Sequence, residues 1–475
     1  MFTDFSSVPI RNTRVDPCPI PNSQVARRRP LTRTGRTAGA TRPCSLSSIV
    51  CRLSSMSHRV YLRSLGCRLN QSELEALARE LAGRGCQLVD DPAQADICVV
   101  NTCAVTAEAE RKTRHLLRAL ARANPQARIA VLGCAATLRG EELAAFPNVA
   151  WVIPNEEKER AVEALTPSPV LRERGRGGGG VGVRVRTRAF VKIQDGCDNA
   201  CTYCIVHILR GPVRSRPPEE VVAEIAERVR EGYREAVLTG VNIGAYGRDL
   251  GVSGGLAGLV AAILAQTDLP RLRLSSVEPW DVDESLLALW PNPRLCRQLH
   301  LPLQSGGEAT LRRMGRRITA AGYARLLERI RAAVPDMAVT TDIIVGFPGE
   351  DEAEFAESLA FVERMGFARL HVFPFSPRPG TPAARMGGQV PEPVVQERAA
   401  RMRDLGERLA AQYRRRFLGQ ELAVLWERRR RDGLWHGLTD NYLQVVTACP
   451  ADLYNRIVPT RLVGEQNGFL LGEVV

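Results

Sequence analysis

The sequence predicts an α/β protein with a small β-barrel at its carboxyl end. Between residue 59 and about residue 385, apolar strand-like runs alternate with segments of helical spacing. Such alternation is typical of parallel sheets covered by helices. Residues 418–475 instead contain short β-like runs broken by Gly, Asn and Pro. A chain of 475 residues is long enough for about two to four domains.

Residues 58–165 form the first predicted domain. Strands are expected at 59–65, 95–102, 128–132 and near 149–153, with helices at 71–84 and 107–123. The run ADICVVNT is apolar on both faces of a strand, as in a buried parallel strand. We therefore expect a parallel sheet with helices on both faces.

Residues 166–188 are predicted to be a flexible linker, because they hold two prolines and a run of four glycines and show no apolar periodicity. The second domain is expected at 189–416. Its candidate strands are 189–193, 236–238, 272–275, 298–303, 339–345 and 369–375, before a long helix near 392–416. Six strands with helices between them predict a partial (β/α)6 barrel. The β-like runs of residues 418–475 suit a small β-barrel.

Charge is concentrated in the first 55 residues. The formal net charge is 65 − 52 = +13, and residues 1–55 contribute 9 − 2 = +7 of it. We expect these residues to be a disordered basic leader, and they lack the apolar core of a secretory signal. The composition allows a transit peptide or an upstream extension of a gene that starts at Met56, and we favour the extension. No stretch reaches the roughly 20 apolar residues that cross a bilayer, so we expect a cytoplasmic protein with no membrane partner.

The chain has 13 cysteines and no export signal, which favours metal ligation over disulfides. Cys197, Cys201 and Cys204 form a C-x3-C-x2-C loop directly after the first barrel strand. Three thiolates can hold a 4Fe-4S cluster and leave its fourth iron open. S-adenosylmethionine can bind that iron and, after one-electron reduction, supply a 5′-deoxyadenosyl radical. The alternative is a zinc site that adds His207 to the three thiols.

A second cysteine triad is distributed over the first domain. Cys67, Cys103 and Cys134 each follow the carboxyl end of a predicted strand. In an open parallel sheet these ends converge on the ligand-binding crevice, so the three thiols can share one cluster. The alternative is three small buried side chains. Cys98 lies inside a strand and Cys86 follows a helix, so we expect both to be ordinary core residues.

The two triads and the segments around them resemble the methylthiotransferase family of radical S-adenosylmethionine enzymes over residues 58–475. The segments that carry this resemblance are LGCRLNQSE (65–73), NTCAVTAEAERK (101–112), LGC (132–134), KIQDGCDNACTYC (192–204), LTGVNIGAYG (238–247), RLSSVEP (273–279), LPLQSG (301–306), TDIIVGFPGE (341–350) and FSPRPGTP (375–382). The last domain is similar to the family's RNA-binding TRAM domain. The segment LGCRLNQSE is most similar to the branch that modifies N6-threonylcarbamoyladenosine beside the tRNA anticodon.

The resemblance implies two 4Fe-4S clusters and two uses of S-adenosylmethionine. One cluster, on Cys67, Cys103 and Cys134, presents a sulfur that is methylated. The other serves radical formation, after which a methylthio group joins carbon 2 of the adenine. The implied partners are tRNA and a one-electron reductant of ferredoxin or flavodoxin type.

The same resemblance suggests residues around S-adenosylmethionine. They are Tyr203, Thr239, Asn242, Ser276, Glu278, Gln304 and Asp342. The alternative is ordinary polarity at the strand ends of a barrel mouth. One departure is His207, Ile208 and Leu209, where the family has a proline and an aromatic before the Arg-Gly pair. It leaves the cluster cysteines untouched.

Basic residues at 414–416 and 428–431 flank the start of the final β-rich segment, which also holds Trp426, Trp435 and Tyr442. Arginines there suit phosphate contacts, and aromatic rings can stack on splayed bases. The alternative is a solvated helix end and a barrel core. Other functions left open are modification of isopentenyladenosine in tRNA, modification of a ribosomal-protein aspartate, or a non-catalytic zinc-containing RNA-binding protein.

Overall fold

The computed structural model of the protein describes residues 58–166 and 187–475. The leader of residues 1–55 and residues 167–186 of the expected linker lie outside the described residues. Residues 58–475 group as one unit by their contacts.

The first part is a sheet of five parallel strands in the order β2-β1-β3-β4-β5. Its elements are β1 (Arg59–Ser64), α1 (Arg68–Gly83), β2 (Gln87–Val89), β3 (Ile97–Thr102), α2 (Ala107–Ala123), β4 (Arg128–Gly133), α3 (Cys134–Ala144), β5 (Val149–Ile153) and α4 (Ala161–Leu165). Every residue of β3 is buried, as expected for a central strand covered on both faces. The chain turns to opposite sides after β1 and after β3, which opens a crevice between their carboxyl ends.

The second part has two three-stranded parallel sheets, β10-β9-β6 and β11-β12-β13. Its elements are β6 (Arg188–Lys192), β7 (Gln194–Asp195), α5 (Val206–Arg210), β8 (Arg214–Ser215), α6 (Pro218–Arg230), β9 (Glu235–Thr239), α7 (Gly255–Gln266), β10 (Arg271–Leu274), α8 (Glu284–Leu287), β11 (Gln298–His300), α9 (Glu308–Arg313), α10 (Ala320–Ala333), β12 (Ala338–Val345), α11 (Glu352–Met365), β13 (Arg369–Pro374) and α12 (Glu392–Arg415). Isolated bridges Leu272↔Leu295 and Ser276↔His300 join the sheets. The edge strands of the two sheets, β6 and β13, do not pair with each other within residues 187–475, so the barrel is open. The predicted partial six-stranded barrel is therefore confirmed.

Side chains along β11 and β12 point alternately to the helix-covered face of the barrel and to its interior. Leu299, Leu301, Val339 and Ile343 belong to the large apolar core with the surrounding helices. Because successive strand residues point to opposite faces, Thr340 and Asp342 lie on the interior face.

The third part is a closed five-stranded barrel, β14-β15-β16-β18-β17, as the sequence predicts. Its strands are β14 (Glu421–Arg429), β15 (Trp435–Thr439), β16 (Gln444–Thr447), β17 (Arg456–Gln466) and β18 (Phe469–Val474). The expectation that Trp426 and Trp435 stack on bases is wrong, because both rings are buried in the core of this barrel. The ring of Tyr442 also has partners within the protein, because the guanidinium groups of Arg68 and Arg273 lie against it.

Buried arginines attach the small barrel to the second part. Arg273 forms an ion pair with Glu235, and both side chains are fully buried. The Arg273 guanidinium also donates hydrogen bonds to the carbonyls of Asp440 (2.8 Å) and Thr439 (3.1 Å). Arg271 donates to the Leu438 carbonyl at 3.0 Å. These bonds hold the barrel in a defined orientation. None of the described helices is long and apolar enough to cross a membrane.

Candidate active site

The first cysteine triad lies at the crevice of the amino-terminal sheet. Cys67 immediately precedes α1, Cys103 follows β3, and Cys134 begins α3 directly after β4. Cys103 and Cys134 are buried, whereas Cys67 is exposed. Burial nevertheless raises the pKa of the Cys67 thiol, so the sulfur itself lies in a desolvated position near Cys134.

Gly66 allows the Cys67 loop to approach Cys103. Its φ is +104°, and a Cβ added there would lie 2.6 Å from the Cβ of Cys103. Asn70, one turn into α1, holds the loop by donating hydrogen bonds to the Leu65 and Thr102 carbonyls at 2.9 and 2.8 Å. The Cys67 thiol is 3.6 Å from the Asn70 Oδ1 atom.

The second triad sits on a loop that is fixed at several points. The backbone amides of Asn199 and Val206 donate to the sulfurs of Cys197 and Cys204, each at 3.4 Å. Thr202 lies between the cysteines and bonds the Met314 carbonyl through its amide at 3.0 Å. A Cβ at Gly196 would lie only 1.8 Å from the Pro212 carbonyl oxygen, so the loop requires glycine there.

Neither cysteine triad has the close grouping of ligand atoms that a single zinc ion requires. A zinc ion with Zn–S bonds of about 2.3 Å would bring its ligand sulfurs to within about 4 Å of one another. Within the described ranges, neither triad has its three sulfurs all within 4.8 Å of one another, and His207 completes no such group. Neither set of thiols is therefore preassembled for a single zinc ion.

Burial keeps thiols of both triads protonated in the protein without metal. It raises the pKa of Cys103 and the pKa of Cys204 to about 12, and the neighbouring cysteines add to both effects. Because only the thiolate binds metal, iron must displace these protons when a cluster forms.

Arg210, at the end of α5, connects the two triads. Its guanidinium donates to Asn70 Oδ1 at 2.8 Å, to Glu73 at 2.8 Å and to Asp195 at 2.9 Å. Burial alone would raise the pKa of Glu73, but Arg210 and Lys158 hold it well below its usual range. Arg210 therefore joins the segment after Cys204 to the helix that starts at Cys67.

The same segment also approaches Cys134. The Asn155 side-chain amide lies 3.0 Å from the Leu209 carbonyl and 3.6 Å from the Cys134 sulfur. Leu209 packs in the apolar core of the first part, beside Cys134. Another contact between the two parts is the buried ion pair of Arg378 with Glu110 of α2.

Arg316 lies against the second triad and is fully buried. Its Nη1 is 3.9 Å from the sulfur of Cys201, and its Nη2 donates to Glu278 at 2.7 Å. The guanidinium also stacks on the Trp280 ring, 4.6 Å from its centroid. A positive charge is thus fixed beside a cluster cysteine.

The other sequence-predicted residues fall on the loops and strand ends around this position. Tyr203 packs edge-on against Phe347, with ring centroids 6.5 Å apart. Thr239 ends β9, and the buried Oδ1 of Asn242 has no hydrogen-bond partner. Gln304 has a positive φ of 75° and bonds the Asp342 carbonyl through its amide. Ser276 pairs with His300 by an isolated bridge.

Asp342 differs from the other members of that set, because its carboxylate faces His300 and His371. Sequence reasoning did not assign Glu73, Arg210 or Arg316 to the site. Glu73 and Arg210 stand in segments that resemble the family, whereas no local motif marks Arg316.

Comparisons with known proteins match this architecture. Residues 59–154 match the model of the uncharacterized protein family UPF0004, and residues 191–362 match that of the Radical SAM superfamily. The radical S-adenosylmethionine methyltransferase TsrM from Kitasatospora setae, solved with cobalamin and a [4Fe-4S] cluster, has a TM-score of 0.50 and 16% identity. That comparison covers 69% of this chain and 77% of TsrM, and at this identity it supports the fold alone.

Curated relatives are similar over most of their length. The threonylcarbamoyladenosine tRNA methylthiotransferase MtaB of Thermotoga maritima is 39% identical, covering 81% of this chain and 90% of the relative. MtaB of Bacillus subtilis is 36% identical, with 85% and 93% covered. The tRNA-2-methylthio-N(6)-dimethylallyladenosine synthase of Thermobifida fusca is 38% identical, with 78% of each covered.

The partial barrel and the superfamily match define a radical S-adenosylmethionine enzyme. The curated relatives make the assignment more specific: the chain belongs to the methylthiotransferase family of these enzymes. The enzyme uses S-adenosylmethionine and 4Fe-4S clusters, two of them in its methylthiotransferase relatives. Two separate groups of three free cysteines would supply the thiols for two clusters.

Proposed function

We propose that this enzyme adds a methylthio group to carbon 2 of N6-threonylcarbamoyladenosine, next to the anticodon of tRNA. The relatives from Thermotoga maritima and Bacillus subtilis are named for this substrate. The structural observation that carries the proposal is the connection of two cysteine triads through Arg210. A reaction that forms a radical and also delivers sulfur needs two such sites held at a constant distance.

We assign one cluster to Cys197, Cys201 and Cys204, and the other to Cys67, Cys103 and Cys134. The cluster held by Cys197, Cys201 and Cys204 would bind S-adenosylmethionine and supply radical chemistry, and the cluster held by the three cysteines of the amino-terminal sheet would supply the sulfur that is transferred. The protein's part is to fix the thiols, the approach of the substrate and the exclusion of water.

Six residues remain candidates for contacts with S-adenosylmethionine. They are Tyr203, Thr239, Asn242, Ser276, Glu278 and Gln304. The buried, unpartnered Oδ1 of Asn242 is an acceptor without a donor, as expected of a group that meets a ligand. Glu278 accepts a hydrogen bond from Arg316, whose guanidinium also lies 3.9 Å from the Cys201 sulfur.

We propose that residues 418–475 form a TRAM-like RNA-binding domain, after a first domain at 58–165 and a radical domain at 189–416. The residues at 428–431 are four exposed arginines on this barrel. Their positive charges can contact the phosphates of tRNA. These contacts do not involve the tryptophans, which are buried in the barrel. A ferredoxin- or flavodoxin-type protein would donate the electron, in the cytoplasm.

A second candidate substrate is dimethylallyladenosine in tRNA. It is favoured by one observation: a synthase that acts on it, from Thermobifida fusca, is 38% identical. The two substrates share the adenine that reacts and differ in the group on N6, so one experiment can compare them.

The test uses the reconstituted enzyme with two tRNA preparations, one carrying threonylcarbamoyladenosine and the other dimethylallyladenosine. Mass spectrometry of the digested nucleosides measures methylthio product from each. We expect product from the threonylcarbamoyl substrate at a rate at least about tenfold higher, since a mismatched N6 group leaves polar groups of the site unpaired. Product from the dimethylallyl substrate alone would replace the proposal with the second candidate.

A further inference from the structure

Three side chains with metal-binding atoms lie together on the interior face of the barrel. Backbone register pairs His300 of β11 with Thr340 of β12, and Asp342 of β12 with His371 of β13. Thr340 and Asp342 are two residues apart and so point to the same face. His300, Asp342 and His371 therefore project from three adjacent strands into one space.

Their ligand atoms are close enough to share an ion. All three ligand atoms lie within 4.8 Å of one another. Within the described parts of the chain, no other group of three His, Cys, Asp or Glu side chains meets this distance. The distance from His300 Nε2 to Asp342 Oδ1 is 3.2 Å. The ring centroids of His300 and His371 are 5.7 Å apart.

Both ring nitrogens of His300 face polar atoms of strand β12. Nδ1 lies 2.9 Å from the Thr340 hydroxyl, and Nε2 lies 3.2 Å from Asp342 Oδ1. In the metal-free protein the hydroxyl can donate to Nδ1 while Nε2 carries the hydrogen that faces Asp342, and a metal ion would take the place of that hydrogen.

Asp342 Oδ1 is buried and lies 3.2 Å from His300 Nε2. A hydrogen on Nε2 or a metal ion between the two atoms can balance the buried carboxylate charge. His371 brings a third ligand atom within 4.8 Å of both, and one metal ion can bind all three atoms, whereas one hydrogen can bridge only two.

We propose that His300, Asp342 and His371 bind a divalent transition-metal ion, separate from both cysteine triads. Bonds of about 2.1 Å place two ligand atoms about 3.0 to 3.4 Å apart in octahedral or tetrahedral geometry, which brackets the observed separation. Two imidazoles and one carboxylate suit zinc or iron(II). The Thr340 hydroxyl orients His300, as outer groups orient metal-binding histidines.

In this proposal Asp342 binds the metal ion, in place of the expected contact with S-adenosylmethionine. Three protein ligands leave at least one position on the ion for water or a substrate oxygen. Because the site lies on the interior face of the barrel, that position is directed toward the space that the strands enclose.

The first measurement is the zinc content of the full-length protein with its iron–sulfur clusters reconstituted. The protein is washed with chelator, exposed to zinc and desalted. Wild-type protein should retain one zinc per chain, whereas His371→Ala and Asp342→Asn should each lose it. His115→Ala, at an exposed histidine of α2, is the matched control and should retain it.

Iron and sulfide are measured in the same samples, since unchanged values show that a variant has folded. If His371→Ala loses its cluster iron, that variant has not folded properly. The zinc content of Asp342→Asn, which is nearly isosteric with wild type, then tests the proposal. Zinc X-ray absorption should show nitrogen and oxygen neighbours near about 2.0 to 2.1 Å and no sulfur near about 2.3 Å. A sulfur shell, no retained zinc, or equal retention by wild type and folded variants would overturn the proposal.

Discussion

Arg210 donates a hydrogen bond to the side chain of Asn70, 140 positions earlier in the chain, at 2.8 Å. Asn70 lies beside the Cys67 thiol, and Arg210 ends the short helix that follows Cys204. The path from one proposed cluster to the other therefore runs through two side chains. The relative position of the two sites depends on this contact.

Replacing Arg210 should separate radical formation from product formation. Arg210→Gln removes a buried charge from Glu73 and Asp195. Lys158 and Lys192 remain paired with these carboxylates, so the cost should lie below the about 3–5 kcal/mol of an uncompensated buried charge. We expect the methylthio product to fall by about a hundredfold, because a shift of about 1 Å between reacting groups has that effect. Formation of 5′-deoxyadenosine should fall much less, and Arg210→Lys should recover part of the coupling.

The matched control is Arg228→Gln, at a buried arginine of α6 that pairs with Glu227 and Glu231. It should lower the thermal midpoint and leave the ratio of 5′-deoxyadenosine to product unchanged. Equal ratios in the Arg210 and Arg228 variants would assign Arg210 a purely structural role.

Glu73 should make the metal-free protein less stable in acid. Its neighbours Arg210 and Lys158 hold its pKa well below the usual range. A depressed pKa stabilises the folded state above the unfolded value of about 4.3, and this contribution is lost as pH falls below it. Unfolding of wild type and Glu73→Gln is compared between pH 3 and 7. The stability difference should be largest near neutral pH and shrink below about pH 4.3; a constant difference would contradict the assignment.

Much of the architecture was predictable, because buried parallel strands and glycine-rich breaks leave a strong periodic signal. The cysteine triad of the first part followed from strand ends, which place Cys67, Cys103 and Cys134 on one edge. The strand β2 was missed, since three residues carry too little pattern. Local sequence also cannot show that Arg316 reaches Cys201 from 115 positions away.

The aromatic residues of the small barrel show a second limit. Trp426 and Trp435 stand near arginines in the sequence, yet both rings point inward. A position close to an arginine in the sequence does not show on which face of the strand a side chain lies, because neighbouring residues alternate between the core and the solvent.

The cysteine triads predict the iron content. Anaerobically reconstituted enzyme should contain about eight irons and eight sulfides per chain. Replacing Cys197, Cys201 and Cys204 with Ala should halve both, and so should replacing Cys67, Cys103 and Cys134. Cys98→Ala, at a buried strand cysteine, is the control and should leave both unchanged. One zinc per chain without labile sulfide would contradict the cluster assignment.

The exposed arginines of the small barrel should contribute to the salt dependence of tRNA binding. Substituting Gln for Arg429, Arg430 and Arg431 should reduce the slope of log K against log salt by about two, since each phosphate contact releases counterions. These substitutions are preferable to deleting the barrel, which would expose the buried Arg273–Glu235 pair.

The control for that experiment removes the same charge from exposed arginines on outer helices, at Arg122, Arg312 and Arg325. It should leave the slope close to the wild-type value. Equal slopes for all three proteins would show that residues 429–431 do not contact tRNA.

The division of work between the two cysteine triads is the central claim, and one measurement tests it directly. The enzyme with Cys67, Cys103 and Cys134 changed to Ala is incubated with S-adenosylmethionine, reductant and tRNA that carries threonylcarbamoyladenosine. Both 5′-deoxyadenosine and the methylthio nucleoside are then quantified by mass spectrometry. We expect 5′-deoxyadenosine without methylthio product from this variant, and neither compound from Cys201→Ala. Methylthio product from the triple variant would contradict this expectation and return those three cysteines to the status of ordinary thiols.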